Sequence, residues 1–230
     1  MKYNAYNQPI GDAVSPFENP KKPVIEILEG KYSKLERLNM RHRDDLFEVL
    51  CDPENDPNWT YLPNEPIHDK QEFNTLIHHY IDSDDPYFFA IVDKTTDKAL
   101  GLMSLLRINT KASSIEVGHI HYSPLLKRTR IATEVQYLLA KYVFESLGYR
   151  RYEWKCDSLN APSKRAAVRL GFTHEGTFRQ ALVYKGRNRD TDWFSMLDKE
   201  WPNIKQHYEY WLDEKNFNSD GTQIQKLSIT

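Results

Sequence analysis

The stretch from Ile115 to Leu147, IEVGHIHYSPLLKRTRIATEVQYLLAKYVFESL, hands a strand over to a helix through a short basic connection, and that handover limits what the chain can become. Ile115 to Tyr122 reads as a strand. Gly118 within it marks a bulge or a close backbone approach, the usual reasons for a residue without a side chain in a strand. Pro124 ends the pairing. From Ala132 the apolar residues Val135, Leu138, Leu139, Tyr142, Val143 and Leu147 recur at helical spacing up to the C-terminal signal Gly148. Lys127, Arg128 and Arg130 therefore sit at or just before a helix start, where the macrodipole is positive and backbone N–H groups lack partners. Cations there repel the dipole and one another. A bound anion removes the conflict, phosphate or pyrophosphate being the usual one; spacing alone leaves a solvated basic turn as the alternative.

A chain of 230 residues at 40% apolar content can bury one substantial core, so one domain with extra termini is expected. A net charge of −2 gives no general pull toward nucleic acid or anionic membrane, and phosphate recognition must be local. Cys51 and Cys156 belong to no metal or redox spacing, which suits a reducing compartment. The N-terminal MKYNAYNQPI lacks a signal-peptide core, and no run reaches membrane-spanning length. The expectation is a soluble cytoplasmic protein, monomer or homodimer, without a nucleic-acid or membrane partner and without a metal.

Taken in order, residues 1–23 carry Pro9, Pro16, Pro20 and Pro23 and read as an extended arm. Residues 24–217 read as one domain and 218–230 as a polar tail. Val24–Leu28 and Tyr32–Leu38 flank a turn at Glu29-Gly30-Lys31, and Arg41–Leu50 follows as a helix. Cys51–Pro66 has four prolines and resists regular structure; its Trp59 and Tyr61 each read singly as aromatics tucked against the core, while the loop as a whole reads as lining a pocket for an amine-bearing substrate. Asp69–Asp82 reads as a helix with the stripe Phe73, Leu76, Ile77, Tyr80 and Ile81. Tyr87–Val92 and Ala99–Ile108 form a hairpin that the strand at Ile115 extends to a meander. Tyr152–Cys156 returns after the long helix, and the right-handed crossover rule makes it parallel to an earlier strand. Ala161–Leu170 is a short helix closed by Gly171. Thr173–Tyr184 and Arg189–Leu197 form a hairpin around Lys185-Gly186-Arg187-Asn188, a mixed-charge turn that reads as solvated, and Trp201–Phe217 reads as a final helix. The order predicts an α/β (α+β) sheet covered by helices.

LKRTRIATE at the start of the long helix, NAPSKRAAVRLGF and EGTFRQ together resemble the acetyl-CoA-dependent N-acetyltransferases of the GNAT superfamily, in the branch that includes ribosomal-protein N-terminal acetyltransferases. The resemblance spans roughly Tyr32 to Trp201. It implies a mixed, mostly antiparallel sheet in which a central parallel pair splays apart, with acetyl-CoA and an amine acceptor, a small molecule or a protein N-terminus, as partners. It places the coenzyme A pyrophosphate on Lys127, Arg128, Thr129, Arg130, Ile131, Ala132 and Thr133. Arg130 stands where the family has Gly, so its guanidinium is expected to fork onto a phosphate. A bulge at Gly118 is expected to open a slot for the pantetheine arm along His119, Ile120 and His121.

Acetyl transfer to an amine needs a proton acceptor for the ammonium, a donor for the departing thiolate and close placement of both reactants. The resemblance puts the donor at Ser163 and assigns Asn160 to the cofactor arm, although Asn160 or Ser163 also fits a helix cap. Some relatives carry a carboxylate where this chain has Leu182. The proton acceptor then falls to Glu116, which points away from the face of Ile115 and Val117, with His119 or His121 as substitutes. Arg130 and Leu182 also keep open a non-catalytic domain of the same fold that binds a coenzyme A species or a partner.

Overall fold

Near-continuous apolar runs along β5 (Tyr87–Asp93) and β6 (Ala99–Asn109), beside β7 (Ser114–Tyr122), give a sheet that is apolar on both faces and so must be covered twice. The computed structural model describes residues 1–14 and 17–229; Pro16 of the N-terminal arm lies outside them. Eight strands run in the order β3-β4-β5-β6-β7-β8-β10-β9, with β3 at Ile27–Glu29, β4 at Ser33–Arg37, β8 at Arg151–Asp157, β9 at Thr173–Tyr184 and β10 at Arg187–Leu197. Only β7 and β8 pair parallel among neighbours in this sheet. Phe88, Ala90, Val92 and Leu102 turn to one face, beneath α1 (Arg43–Leu50) and α2 (Lys70–Ile81). Phe89, Ile91, Met103, Ile115 and Val117 turn to the other, beneath α3 (Arg130–Lys141), α4 (Ala161–Arg169) and α5 (Trp201–Trp211). The α/β architecture expected from the sequence is the one found.

Several local expectations are corrected. The arm carries a small two-stranded ladder, β1 (Lys2–Tyr3) against β2 (Pro9–Ile10). Pro53–Trp59 forms a 3-10 helix inside the proline-rich loop, started by Pro53 and capped by the Asp52 side chain on Glu54 N at 2.8 Å. The last helix stops at Trp211 rather than Phe217, and Asp213 caps a separate 3-10 turn at Glu214–Asn216. Beyond it the tail is fastened: Leu227 is buried in the main core and Asn216 bonds the carbonyls of Trp211 and Gln225. The β9–β10 turn is tighter than expected, two residues with Lys185 at φ 50° and Gly186 at φ 67°, the backbone a twisted hairpin favours.

One buried carboxylate fixes where α3 begins. Glu134, 3% exposed, accepts from Lys31 N (2.7 Å), Tyr32 N (2.9 Å) and Ser33 Oγ (2.6 Å), tying α3 to the β3–β4 turn. A side chain at Gly30 would meet the Glu134 carboxylate at 2.5 Å, which explains the glycine. Glu134→Ala strands three donors at once. It is expected to cost about 3 kcal/mol or more, read as a lowered urea midpoint at unchanged slope, since each buried donor left unpaired costs about 1–3 kcal/mol.

Candidate active site

The parallel pairing of β7 with β8 covers four residues, Ser114↔Arg151 to Val117↔Trp154, and then stops. β8 continues against β10 as far as Asp157↔Thr191, while β7 bends away. The bend is a bulge: Gly118 pairs with Ser104 and His121 with Leu102, so Met103 alone opposes His119 and Ile120. His119 takes φ 48°, and its Nδ1 lies 2.9 Å from the Ser104 hydroxyl, which also donates to the Gly118 carbonyl at 3.3 Å. The expected bulge at Gly118 is therefore displaced to His119–Ile120. Gly118 is small for another reason, since a Cβ there would lie 2.8 Å from Leu106 Cδ2. The consequence is the one the splayed pair requires: from Gly118 onward the β8-facing edge of β7 has no strand against it.

The basic connection forms a corner at one end of this opening. Leu126 N and Lys127 N both donate to the Ser123 carbonyl, Arg128 adopts φ 63°, and Thr129 caps α3 by accepting from Ala132 N at 3.2 Å. The N–H groups of Arg128, Arg130 and Ile131 donate to no described group, and a left-handed residue before a helix start is a backbone arrangement that cups anions. The expected trio of cations is dispersed. Lys127 donates to Asn58 Oδ1 in the proline-rich loop. Arg130 lays its guanidinium over Tyr32 at 4.0 Å from the ring centroid, with Phe217 at 5.7 Å, which places the side chain that replaces the family glycine against the tail. Arg128 is exposed and has no protein partner among the described residues. Thr133 turns its hydroxyl to α4, accepting from Arg169 at 3.0 Å, so only backbone remains there for a ligand.

At the end of β8, Asn160 caps α4 by accepting from Ser163 N at 3.1 Å, and the Ser163 hydroxyl accepts from Trp154 Nε1 at 3.0 Å. The cap reading and the ligand reading of Asn160 coexist, because its amide nitrogen donates to no described group. Cys156 lies beside Ser163; burial pushes its thiol up, which makes it a poor nucleophile.

On the opposite face of the sheet, under α1 and α2, the same bulge changes the parity of β7 and puts Glu116, Gly118, His119 and His121 on one side. Glu116, 3% exposed, gives Oε2 to Arg107 (2.6 Å) and to Lys155 (2.7 Å). Among the described residues no donor reaches its Oε1, which lies 3.7 Å from where a Gly118 Cβ would be. Lys155 also bonds Glu153 at 2.7 Å and sits 3.8 Å from the Trp193 ring centroid. A small pocket, with a cavity of about 10 Å³ opening to solvent, lies beside the bulge and is lined by Trp59, Leu62, Phe73, Leu76, Leu102 and the two imidazoles, among others. Trp59 is 2% exposed, donates to the Leu50 carbonyl at 3.1 Å and meets His121 edge-on at 4.5 Å.

Of the two aromatics expected at the acceptor, only Trp59 lines the pocket. Tyr61 donates to the Leu159 carbonyl at 3.2 Å and pins the loop to the β8–α4 connection. Lys185 and Arg187, read as a solvated turn, also fasten that loop, donating to the carbonyls of Trp59 (2.7 Å) and Thr60 (3.2 Å). Phe73, Leu76 and Tyr80 were legible as a helix stripe, but a stripe does not say which of its members face a void. Ser104 had no sequence signal.

The matching family model, described as an acetyltransferase (GNAT) domain, covers residues 34–173. An N-acetyltransferase of Bacillus licheniformis, p20, itself described as uncharacterized, is 30% identical over 175 residues, 72% of this chain and 96% of that protein. A GCN5-related N-acetyltransferase from Brucella melitensis superposes with a TM-score of 0.91 at 46% identity, covering 93% of this chain and 97% of that one. A GNAT-family acetyltransferase from Chromobacterium violaceum gives 0.79 at 40%, covering 85% and 98%. A sheet opened between its parallel strands, with an anion-ready helix start beside the gap, is the frame of an acyl-transfer domain. The chain belongs to the GNAT acetyltransferase family. Among the described residues no group of three or more His, Cys, Asp or Glu could hold a metal ion, and no helix is long and apolar enough to cross a membrane.

Proposed function

We propose that the protein transfers the acetyl group of acetyl-CoA to a primary amine by direct attack in a ternary complex. The observation that carries the reading is the parting of β7 from β8 after Val117 and Trp154, with the N–H-lined corner at Arg128–Ile131 following β7 in the chain and the pocket beside its bulge. The corner fits a diphosphate: its free N–H groups and the unpaired Arg128 supply donors and charge where the macrodipole is positive. The unpaired edge of β7 at His119–His121 receives the amides of the pantetheine arm as an added strand would, with Asn160 contributing its free amide. Acetyl-CoA supplies the activated thioester. Ser163, its hydroxyl oriented by Trp154, donates to the departing thiolate, and Glu116 Oε1 takes the ammonium proton through water. Within the family, the motifs around LKRTRIATE and NAPSKRAAVRLGF favour the branch that includes ribosomal-protein N-terminal acetyltransferases. Residues 24–217 form the catalytic domain, and the protein works in the cytoplasm.

The test is thermal. Acetyl-CoA is expected to raise the melting temperature in proportion to the logarithm of its concentration, and thiol release is expected on adding an amine. Arg128→Ala should weaken coenzyme A binding about tenfold in low salt and less in high salt, because an exposed charge-assisted contact is screened. No thermal shift in the wild type sinks the reading. A shift without thiol release over a broad amine panel leaves a coenzyme A-binding domain that does not catalyse.

A further inference from the structure

The pocket beside the bulge constrains the acceptor more tightly than the transfer chemistry does. Its apolar and aromatic walls are Trp59, Leu62, Pro63, Phe73, Leu76, Tyr80 and Leu102, and its other lining residues are Asn64, His119 and His121. No carboxylate and no permanent cation is among them. Asn64 Oδ1 accepts from the Tyr80 hydroxyl at 3.3 Å, and His119 Nδ1 is taken by Ser104. His121 differs: it is 4% exposed and its Nε2 has no hydrogen-bond partner among the described residues. A polar atom left so costs about 1–3 kcal/mol, which a ligand N–H entering the pocket recovers.

The charges around the imidazoles point the same way. Burial, with Lys127 beyond the β7–α3 junction, pushes His121 down to about 3, and burial with Arg107 on β6 pushes His119 to about 4. Trp59 on the loop, Tyr80 on α2 and Phe88 on β5 complete the surroundings of the two rings without adding a charge. Lys185 from the β9–β10 turn is held on the Trp59 carbonyl, with Glu65 at 3.4 Å. Both imidazoles are therefore neutral at neutral pH, and a charged substituent would enter without a counter-ion at a cost of several kcal/mol, of order for an unpaired buried charge. The same environment favours the neutral form of a bound amine, which is the nucleophile.

We propose that the pocket receives the amine end of the acceptor, that the amine nitrogen donates to His121, and that the acceptor is a monoamine whose neighbouring substituent is small and apolar. This rests on the acetyl-transfer reading. Such an amine is either a free short-chain alkylamine or a peptide N-terminus with a small apolar first side chain; polyamines are excluded by the missing counter-charge and amino sugars by walls that cannot pair their hydroxyls.

The experiment uses the 230-residue chain with acetyl-CoA and four probes: ethylamine, a tetrapeptide beginning with Ala, the same peptide beginning with Lys, and spermidine. Thiol release gives kcat/KM, and the thermal shift by each amine gives binding without turnover. At least one apolar probe is expected to exceed spermidine and the Lys peptide by tenfold or more, and which one leads separates free amine from N-terminus. His121→Leu is expected to raise KM for that probe about tenfold while the acetyl-CoA thermal shift, which also reports folding, is kept. Leu76→Asp, which adds a carboxylate to the wall, should narrow the gap to spermidine. Equal or better turnover of spermidine, or an unchanged KM in both variants, overturns the inference and leaves acetyl transfer standing. Thermal shifts by apolar amines without thiol release would do the reverse.

Discussion

Glu116→Gln is expected to lower kcat by about two to three orders of magnitude, the usual worth of a positioned proton acceptor, while acetyl-CoA binds as before. The argument lies in how the two carboxylate oxygens are used. Oε2 is committed to Arg107 and Lys155, which hold the side chain in place. Oε1 is left without a donor among the described residues, directed along β7 toward Gly118 and the point where the strands part. Gln keeps the shape and removes the basic oxygen. The fold should tolerate the change: Lys155 retains Glu153 at 2.7 Å and the Trp193 ring, and the Arg107 side chain, 55% exposed, can turn to water. The variant's rate should also climb more steeply with pH than that of the wild type, because only amine already deprotonated in solution can react. A kcat within about threefold of the wild type would reduce Glu116 to an ion pair that braces β6, β7 and β8.

The elements that announce themselves by period or punctuation were legible in the sequence, and those set by contact between distant segments were not. Helix α3, the meander and the terminal hairpin follow from apolar spacing and from Gly and Pro signals. The position of the bulge does not: it depends on Ser104 holding His119 across β6, and no local pattern in IEVGHIHY distinguishes a bulge at Gly118 from one at His119. The basic corner was legible as charge but not as geometry. Lys127 is drawn off by Asn58 and Arg130 by Tyr32, partners 69 residues away in the first case and in the β3–β4 turn in the second. Glu116 was placed on the right face by simple alternation, while its cations, Arg107 and Lys155, come from two other strands. The pocket beside the bulge was half legible: the loop containing Trp59 stood out by its prolines, yet the ties that shape it, from Lys185, Arg187 and Tyr61, join segments far apart in the chain.

Acid should unfold this protein in a window set by histidines rather than by carboxylates. His42, His119 and His121 are held to about 4, 4 and 3 by burial, with Arg41, Arg107 and Lys127 adding repulsion in turn. For His42 the neutral form is also the bonded one, Nδ1 accepting from Asn39 N at 3.2 Å and Nε2 facing Glu36 at 3.1 Å. Each group has a folded value below the unfolded one near 6.5, so the unfolded chain takes up protons first as pH falls. The stability they contribute is complete above about pH 6.5 and is lost progressively down to about pH 4, with a slope of about 1.4 kcal/mol per pH unit for each histidine. At pH 5 the three together should cost about 6 kcal/mol, to be set against a total of about 5–15 kcal/mol for a domain. Urea unfolding at pH 7.5, 6 and 5 should show the midpoint falling across that interval, before exposed carboxylates begin to protonate. His121→Leu, destabilised or not at pH 7.5, should lose about a third of the slope. A midpoint that stays level from pH 7.5 to 5 would mean that the three rings accept protons within the folded state, and with that the neutral walls of the pocket proposed for the acceptor would go as well.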